Sequence, residues 1–269
     1  AIMSEELALY LGFGGLAGLL SGLLGIGGGV VIVPFLVWHF ALLGFPADSV
    51  MVMAVATSLA TILVASPAAA SAHHRRKAVD WPAVRQLAPG ILFGAVAGSV
   101  IANDLPVRWF KLLFAVFLLY AAGQMLLRPP PERDPGEPPG RKAFGWAGVA
   151  IGGLSAILGI GGGTLSVPFL VKHGYSIRQA VAISSACGFP IAVAGTATYV
   201  WLGWQQPALP AWSLGYVYLP ALAGIMGASI PCAPLGARLA HRWPTRWLRL
   251  LLAFVVALAG GKLFWQAIS

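Results

Sequence analysis

The stretch Leu24-Gly-Ile-Gly-Gly-Gly29, set in "LLGIGGGVVIVPFLV", returns as Leu158-Gly-Ile-Gly-Gly-Gly163 in "ILGIGGGTLSVPFLV". Each copy places four glycines inside an apolar run that otherwise reads as helix. Glycine in a helix interior costs about 1 kcal/mol relative to alanine, so such a cluster predicts a break rather than a continuous helix. The surrounding composition says what kind of break it is. Of the 269 residues 58% are apolar and only 9% are charged, and mean hydropathy is +0.82. That is the composition of a membrane protein, with several runs near the ~20 residues that cross a bilayer as helix. Many of the ten tryptophans, among them Trp38, Trp81, Trp109, Trp146, Trp201 and Trp204, stand near the ends of apolar runs, where indole rings settle at the headgroup level.

Outward from the glycines the chain divides in two. "RPPPERDPGEPPGRK" at 128–142 is too rich in proline and charge to form regular structure throughout, and it separates a first repeat, residues 1–127, from a second, 144–269, with the linker at 128–143. Tyr10 to Leu24 and Val30 to Leu43 flank the first break as Phe144 to Leu158 and Thr164 to His173 flank the second. "AVATSLATI" at 54–62 matches "AVAISSACG" at 180–188, and "VRWFKLLFAVFLLYAAGQML" at 107–126 matches "TRWLRLLLAFVVALAGGKLF" at 245–264. The expected fold is an all-α polytopic membrane protein of two repeats, each a glycine-broken short helix pair plus three longer transmembrane helices. The broken pair returns the chain to the side it left, whether its pieces span or re-enter. Three further crossings then make each half odd, and parity inverts the second repeat relative to the first.

Basic residues orient such a chain, because cytoplasmic loops hold Lys and Arg. With both termini outside and the linker inside, one set of faces carries Arg75, Arg76, Lys77, Arg85, the linker cations, Lys172, Arg178, Arg238, Arg242, Arg246 and Arg249. The opposite faces keep only Arg108, Lys111 and Lys262. The net charge of +9 is therefore a topology signal, and nothing interleaves basic and aromatic residues as nucleic-acid binding would require. "AIMSEEL" is acidic where a cleavable signal would be basic, so the first apolar segment is expected to be retained. Cys187 and Cys232 match no metal-ligand spacing; no metal and no cofactor is expected.

Backbone freed from helical bonding at bilayer depth is tolerated only where protein buries it or a wet cavity receives it. A break repeated in two oppositely oriented halves is the best sequence pointer to a transporter's substrate site. After each glycine cluster a short helix begins, and its first N–H groups have no intrahelical partner; with the helix dipole they favour an anion. The candidate binding residues are Gly27, Gly28, Gly29, Gly161, Gly162, Gly163 and Thr164. The hydroxyls of Thr57, Ser58, Ser184 and Ser185, which can donate to an anion without burying charge, complete the set. The plainer alternatives are tight helix crossing for the glycines and backbone bonding for the hydroxyls. Pro34 and Pro168 limit or kink the short helices, and His39 and His173, equally spaced after the breaks, are candidates for gating or proton sensing. No Asp or Glu falls deep in an expected span.

The doubled "LGIGGGxxxVPFLV", the "AVATS" and "AVAIS" segments and "HHRRKAVDW" at 73–81 resemble the TauE/SafE family of membrane permeases, over essentially the whole chain. The resemblance implies transport of sulfur-containing anions, such as sulfite, sulfoacetate or related organosulfonates, across the bacterial cytoplasmic (inner) membrane. The halves are not equivalent: Ile183 stands at the Thr57 position, Cys187 at that of Thr61, and the basic run after His73 has no counterpart. The expected partners are a small anionic substrate and the lipid bilayer, with room for a homodimer through lipid-facing helices. A passive anion channel uses the same donors, and an integral-membrane enzyme would need a nucleophile and base that the spans do not provide.

Overall fold

A computed structural model describes residues 2–24, 28–126, 141–239 and 245–268. Among the described residues each half holds five helices. The first has α1 (Ile2–Leu24), α2 (Gly29–Leu42), α3 (Ala47–Arg75), α4 (Trp81–Asp104) and α5 (Val107–Leu126). The second has α6 (Arg141–Leu158), α7 (Gly163–Lys172), α8 (Ile177–Gly203), α9 (Leu219–Leu239) and α10 (Thr245–Ile268). Helix α6 starts at Arg141, inside the stretch read as linker; the rest of that stretch, and Gly27, lie outside the described residues. A small antiparallel hairpin, β1 (Ser213–Leu214) and β2 (Val217–Tyr218), precedes α9.

Among the described residues α3, α4, α5 and α8 are long and apolar enough to cross a membrane. By contrast α2, with 14 residues, and α7, with 10, reach only about 21 and 15 Å at helical rise, short of the ~30 Å hydrocarbon core. Each folds back on the helix before it. The Phe13 and Phe35 rings stack at 3.6 Å and Tyr10 meets His39 at 5.0 Å, so α2 runs antiparallel to α1. Phe144 likewise meets Phe169 and Tyr175 across α6 and α7. Helices α2 and α7 are thus the short returning arms of two helical hairpins.

The halves interlock. Helix α1 lies along α9, α6 along α4, α3 along α8 and α5 along α10. Small residues set the first two pairs, as they do where membrane helices approach closely. A methyl added at Gly14 or Gly18 would strike the backbone of Ile225 or Ser229, and one at Gly90, Gly94 or Gly98 would strike Gly145, Val149 or Gly153. In both pairs the residue numbers rise together, so the helices run parallel. The other two pairs are antiparallel: Leu59 meets Gly195 while Ser66 meets Ser185, and Leu118 meets Gly260 while Arg108 donates from Nε to the Ala267 carbonyl at 2.9 Å.

Loops gather into two sets. Tyr175, before α8, lies beside Asp80, before α4. At the other end the β-hairpin joins the neighbourhood of Phe45 and Asp104, and the end of α10 receives Arg108. The outer surface is apolar, with Trp146, Trp201, Trp204, Trp212 and Trp265 all strongly exposed, the character of a surface that faces lipid.

Candidate functional site at the paired glycine breaks

The two glycine breaks, far apart in sequence, meet in space. A methyl on Gly29 would strike the carbonyl oxygen of Gly159 and stand 3.0 Å from the Ile160 Cα. Gly159 itself has φ +66° and fits between Val33 of α2 and Val55 of α3, where a Cβ would come within 2.9 Å of the Val33 Cγ2. Its carbonyl accepts from Ser58 Oγ at 2.7 Å. Helix α3 therefore holds the second half's break through a first-half hydroxyl.

Both short helices start in the same way. The N–H groups of Val31 and Ile32 bond the Gly28 carbonyl, and those of Leu165 and Ser166 bond the Gly162 carbonyl. Neither cap has a side-chain bond, so the N–H groups of Gly29 and Val30, and of Gly163 and Thr164, fall outside the helical ladder. Pro34 and Pro168 lie inside α2 and α7, where a missing N–H leaves the carbonyls of Val30 and Thr164 without their usual donor four residues on. Each short helix thus begins with N–H groups, and carries one carbonyl, outside the regular helical ladder.

The hydroxyls divide. Ser166 donates to the Gly162 carbonyl at 2.8 Å, and Ser184 lies 2.8 Å from Ser166, which places Ser184 at the second break. Thr57 accepts from the Tyr218 N–H at 3.0 Å, and Ser185 donates to the Val181 carbonyl of its own helix at 2.8 Å. Ser66 donates to the Ser185 carbonyl at 2.6 Å, tying α3 to α8. So Gly29 and Ser58 meet the second break at Gly159, and Ser184 joins it near Gly162 through Ser166, with Gly161, Gly163 and Thr164 alongside in the chain, whereas Thr57 serves the β-hairpin and Ser185 its own backbone. Gly28 sits one residue back with ordinary right-handed backbone angles. Of the two histidines, His39 is buried in α2, while His173 Nδ1 lies 2.7 Å from the Phe169 carbonyl at the end of α7.

One residue here escaped the sequence reading. Ser155, in α6, is fully buried, its hydroxyl has no partner, and it lies 3.6 Å from where a Cβ on Gly162 would stand. The signal was present: Ser21 occupies the matching position before the first break, in "LLSGLLGIGGG" beside "GGLSAILGIGGG". Serine in a membrane helix is common enough that nothing but the repeat marks it. Among the described residues no cluster of His, Cys, Asp or Glu has the makings of a metal site. A cavity of about 260 Å³ lies beside Arg108 and Lys111, and a groove of about 480 Å³ along α6 and α7 is lined by Ile151, whose Cγ2 is 3.6 Å from where a Cβ on Gly162 would stand.

The profile of the family described as "Sulfite exporter TauE/SafE" matches residues 10–263, both breaks included. This chain belongs to the TauE/SafE family. A Haemophilus influenzae protein named "Probable membrane transporter protein" is 36% identical over 95% of this chain and 98% of its own length. A Methanocaldococcus jannaschii protein with a similar name is 28% identical over 94% and 93% of the two chains, and YunE of Bacillus subtilis is 25% identical over 99% of each. No solved structure matches. As a TauE/SafE member with relatives of that description along its whole length, the chain is a multi-pass membrane transporter and not an enzyme.

Proposed function

We propose that this TauE/SafE chain is a secondary transporter that exports sulfur-containing anions, sulfite or an organosulfonate such as sulfoacetate, by alternating access. The observation that carries the reading is the meeting of the two glycine breaks, Gly29 against Gly159 and Ile160, with four uncapped N–H groups and the unpartnered Ser155 hydroxyl around them. An oxyanion is the ligand that uses such donors together: it takes backbone N–H and hydroxyl bonds, and two helix dipoles favour its charge. The packing that excludes even a methyl between Gly29 and Gly159 requires the halves to part before an anion enters. Rocking of one half against the other supplies that motion.

The inverted arrangement has geometric support. Equivalent segments lying side by side and antiparallel, as α3 does with α8 and α5 with α10, are related by a two-fold axis across their length, which in a membrane lies in the bilayer plane. Repeat boundaries at 1–127 and 144–269, and the orientation with both termini outside and the linker inside, follow the basic residues. The loop holding Lys77 and the loop holding Tyr175 fall on one side, as that orientation requires. Lys77→Cys labelled by an impermeant maleimide only from the cytoplasmic face, and Gln205→Cys only from outside, is the expected pattern; the reverse pattern discards the orientation.

Flux of labelled sulfite, sulfoacetate, taurine and sulfate into proteoliposomes tests the function. Saturable, selective flux stimulated by substrate on the far side marks a carrier of sulfur anions; flux that neither saturates nor trans-stimulates marks a channel. No flux of any of these anions from folded protein would leave the family scaffold with another cargo.

A further inference from the structure

We propose that Glu6, Tyr10, His39 and Tyr218 form a proton-binding site whose occupancy is coupled to the anion site at the glycine breaks. The inference rests on the transporter reading above and adds the coupling ion. His39 is 4% exposed and neither ring nitrogen has a hydrogen-bond partner. The Tyr10 hydroxyl, equally buried, has none either. Buried polar groups are so regularly bonded that two orphans side by side, with rings 5.0 Å apart, call for a ligand.

The surroundings say which ligand. The imidazole lies parallel to the Phe35 ring at 5.7 Å, and Trp38 is 6.2 Å away; aromatic faces at these distances welcome a cation. The half-buried Glu6 carboxylate is within electrostatic reach of Tyr10, His39 and Tyr218. The other helices packed on α2 bring Asp48, at the start of α3, and Lys262, on α10, and both are exposed rather than buried with the ring. A neutral imidazole offers one lone pair, and a proton from bulk water is the smallest cation that can take it without opening the aromatic packing. His173, at the matching place in the second half, has its Nδ1 beside the Phe169 carbonyl, so the site belongs to one half only.

The connection to the breaks is direct. The Tyr218 ring packs on Tyr10 and Phe40, and its N–H donates to Thr57 Oγ1. The next residue, Ser58, donates to the Gly159 carbonyl in the second break. A charge placed on His39 acts on the β-hairpin, and the hairpin is bonded to the helix that holds the break. This also assigns Thr57 a role other than touching substrate.

Two readouts decide the matter. Nitrogen-15 NMR of the five histidines, in the full chain reconstituted in nanodiscs, identifies His39 by its loss in His39→Gln. Its ring nitrogens are expected to take up a proton as the pH is lowered, with a midpoint that moves in Tyr10→Phe. A ring that stays neutral throughout overturns the proposal. In proteoliposomes, one proton moved per anion makes accumulation follow the pH gradient by about tenfold per unit. His39→Gln is expected to abolish that dependence, and an unchanged dependence overturns the coupling. If the wild-type chain moves no anion, the transporter reading fails, while the titration still decides whether the proton site exists. Tyr10→Phe, which removes one oxygen, serves both assays should His39→Gln not fold.

Discussion

Glycine here does two different things, and single substitutions separate them. Gly162 has φ +77°, a left-handed conformation that costs an L-residue about 1–2 kcal/mol, and a Cβ would sit 2.8 Å from the Ile191 Cδ1. Gly162→Ala is therefore expected to cut flux severely. Gly28 has right-handed angles and among the described residues a Cβ there would meet only the Ile32 side chain, at 3.2 Å, so Gly28→Ala is expected to keep most of the flux. Equal loss in both variants, measured as initial rates in proteoliposomes, would detach the effect from backbone geometry. Ser155 gives the complementary test. Its unpartnered hydroxyl contributes nothing to the folded state, so Ser155→Ala should leave thermal stability unchanged or slightly raised. If the hydroxyl binds the anion, KM rises about tenfold, the worth of one charge-assisted bond. An unaltered KM removes Ser155 from the site.

Between elements, glycines act as contact surface. The row Gly90, Gly94 and Gly98 lets α4 lie against α6 backbone to backbone, and a methyl on Gly94 would strike the Val149 carbonyl. Gly94→Val is expected to destabilise by about 1–3 kcal/mol through overpacking, with a clear drop in melting temperature in detergent. Gly123 on α5 has nothing within 4 Å of its would-be Cβ, and Gly123→Ala should melt like wild type or slightly above it. Similar losses in both would mean that helix propensity, not contact, governs these positions. The tight-crossing alternative for membrane glycines is thus correct for this protein at these rows. At the breaks the close approach is between Gly29 and the Gly159–Ile160 backbone of the other half.

At the scale of the whole molecule, the proposed alternating access requires the halves to move. Ser66 of α3 and Gly188 of α8 are close enough that the Ser66 Cβ lies 3.5 Å from a Cβ placed on Gly188, inside the range a disulfide needs. With Cys187 and Cys232 replaced by alanine, Ser66→Cys with Gly188→Cys should cross-link under oxidation and stop transport, and reduction should restore it. Full flux in the cross-linked protein would show that α3 and α8 travel together or that the pathway is a channel. The result is read as labelled-anion flux before and after reductant.

Membrane class, the helical pieces of each half and the place of the breaks were legible in the chain itself. Hydropathy, glycine clusters and an internal repeat are local signals that need no partner to be read. The same holds for family membership, since the doubled motif lies within single stretches of sequence. What only the tertiary structure decided is who meets whom. Pairing of α1 with α9 and α4 with α6 depends on the fit of two distant surfaces, as does the contact of Gly29 with Gly159. The same holds for Ser58, whose proton goes to a carbonyl in the other half, and for His39, whose nitrogens are left without partners by the packing of three elements around them. Local sequence specifies which groups a segment presents. Burial and hydrogen-bond pairing are properties of the assembled fold, because a polar atom is free or bonded according to what the rest of the chain brings beside it.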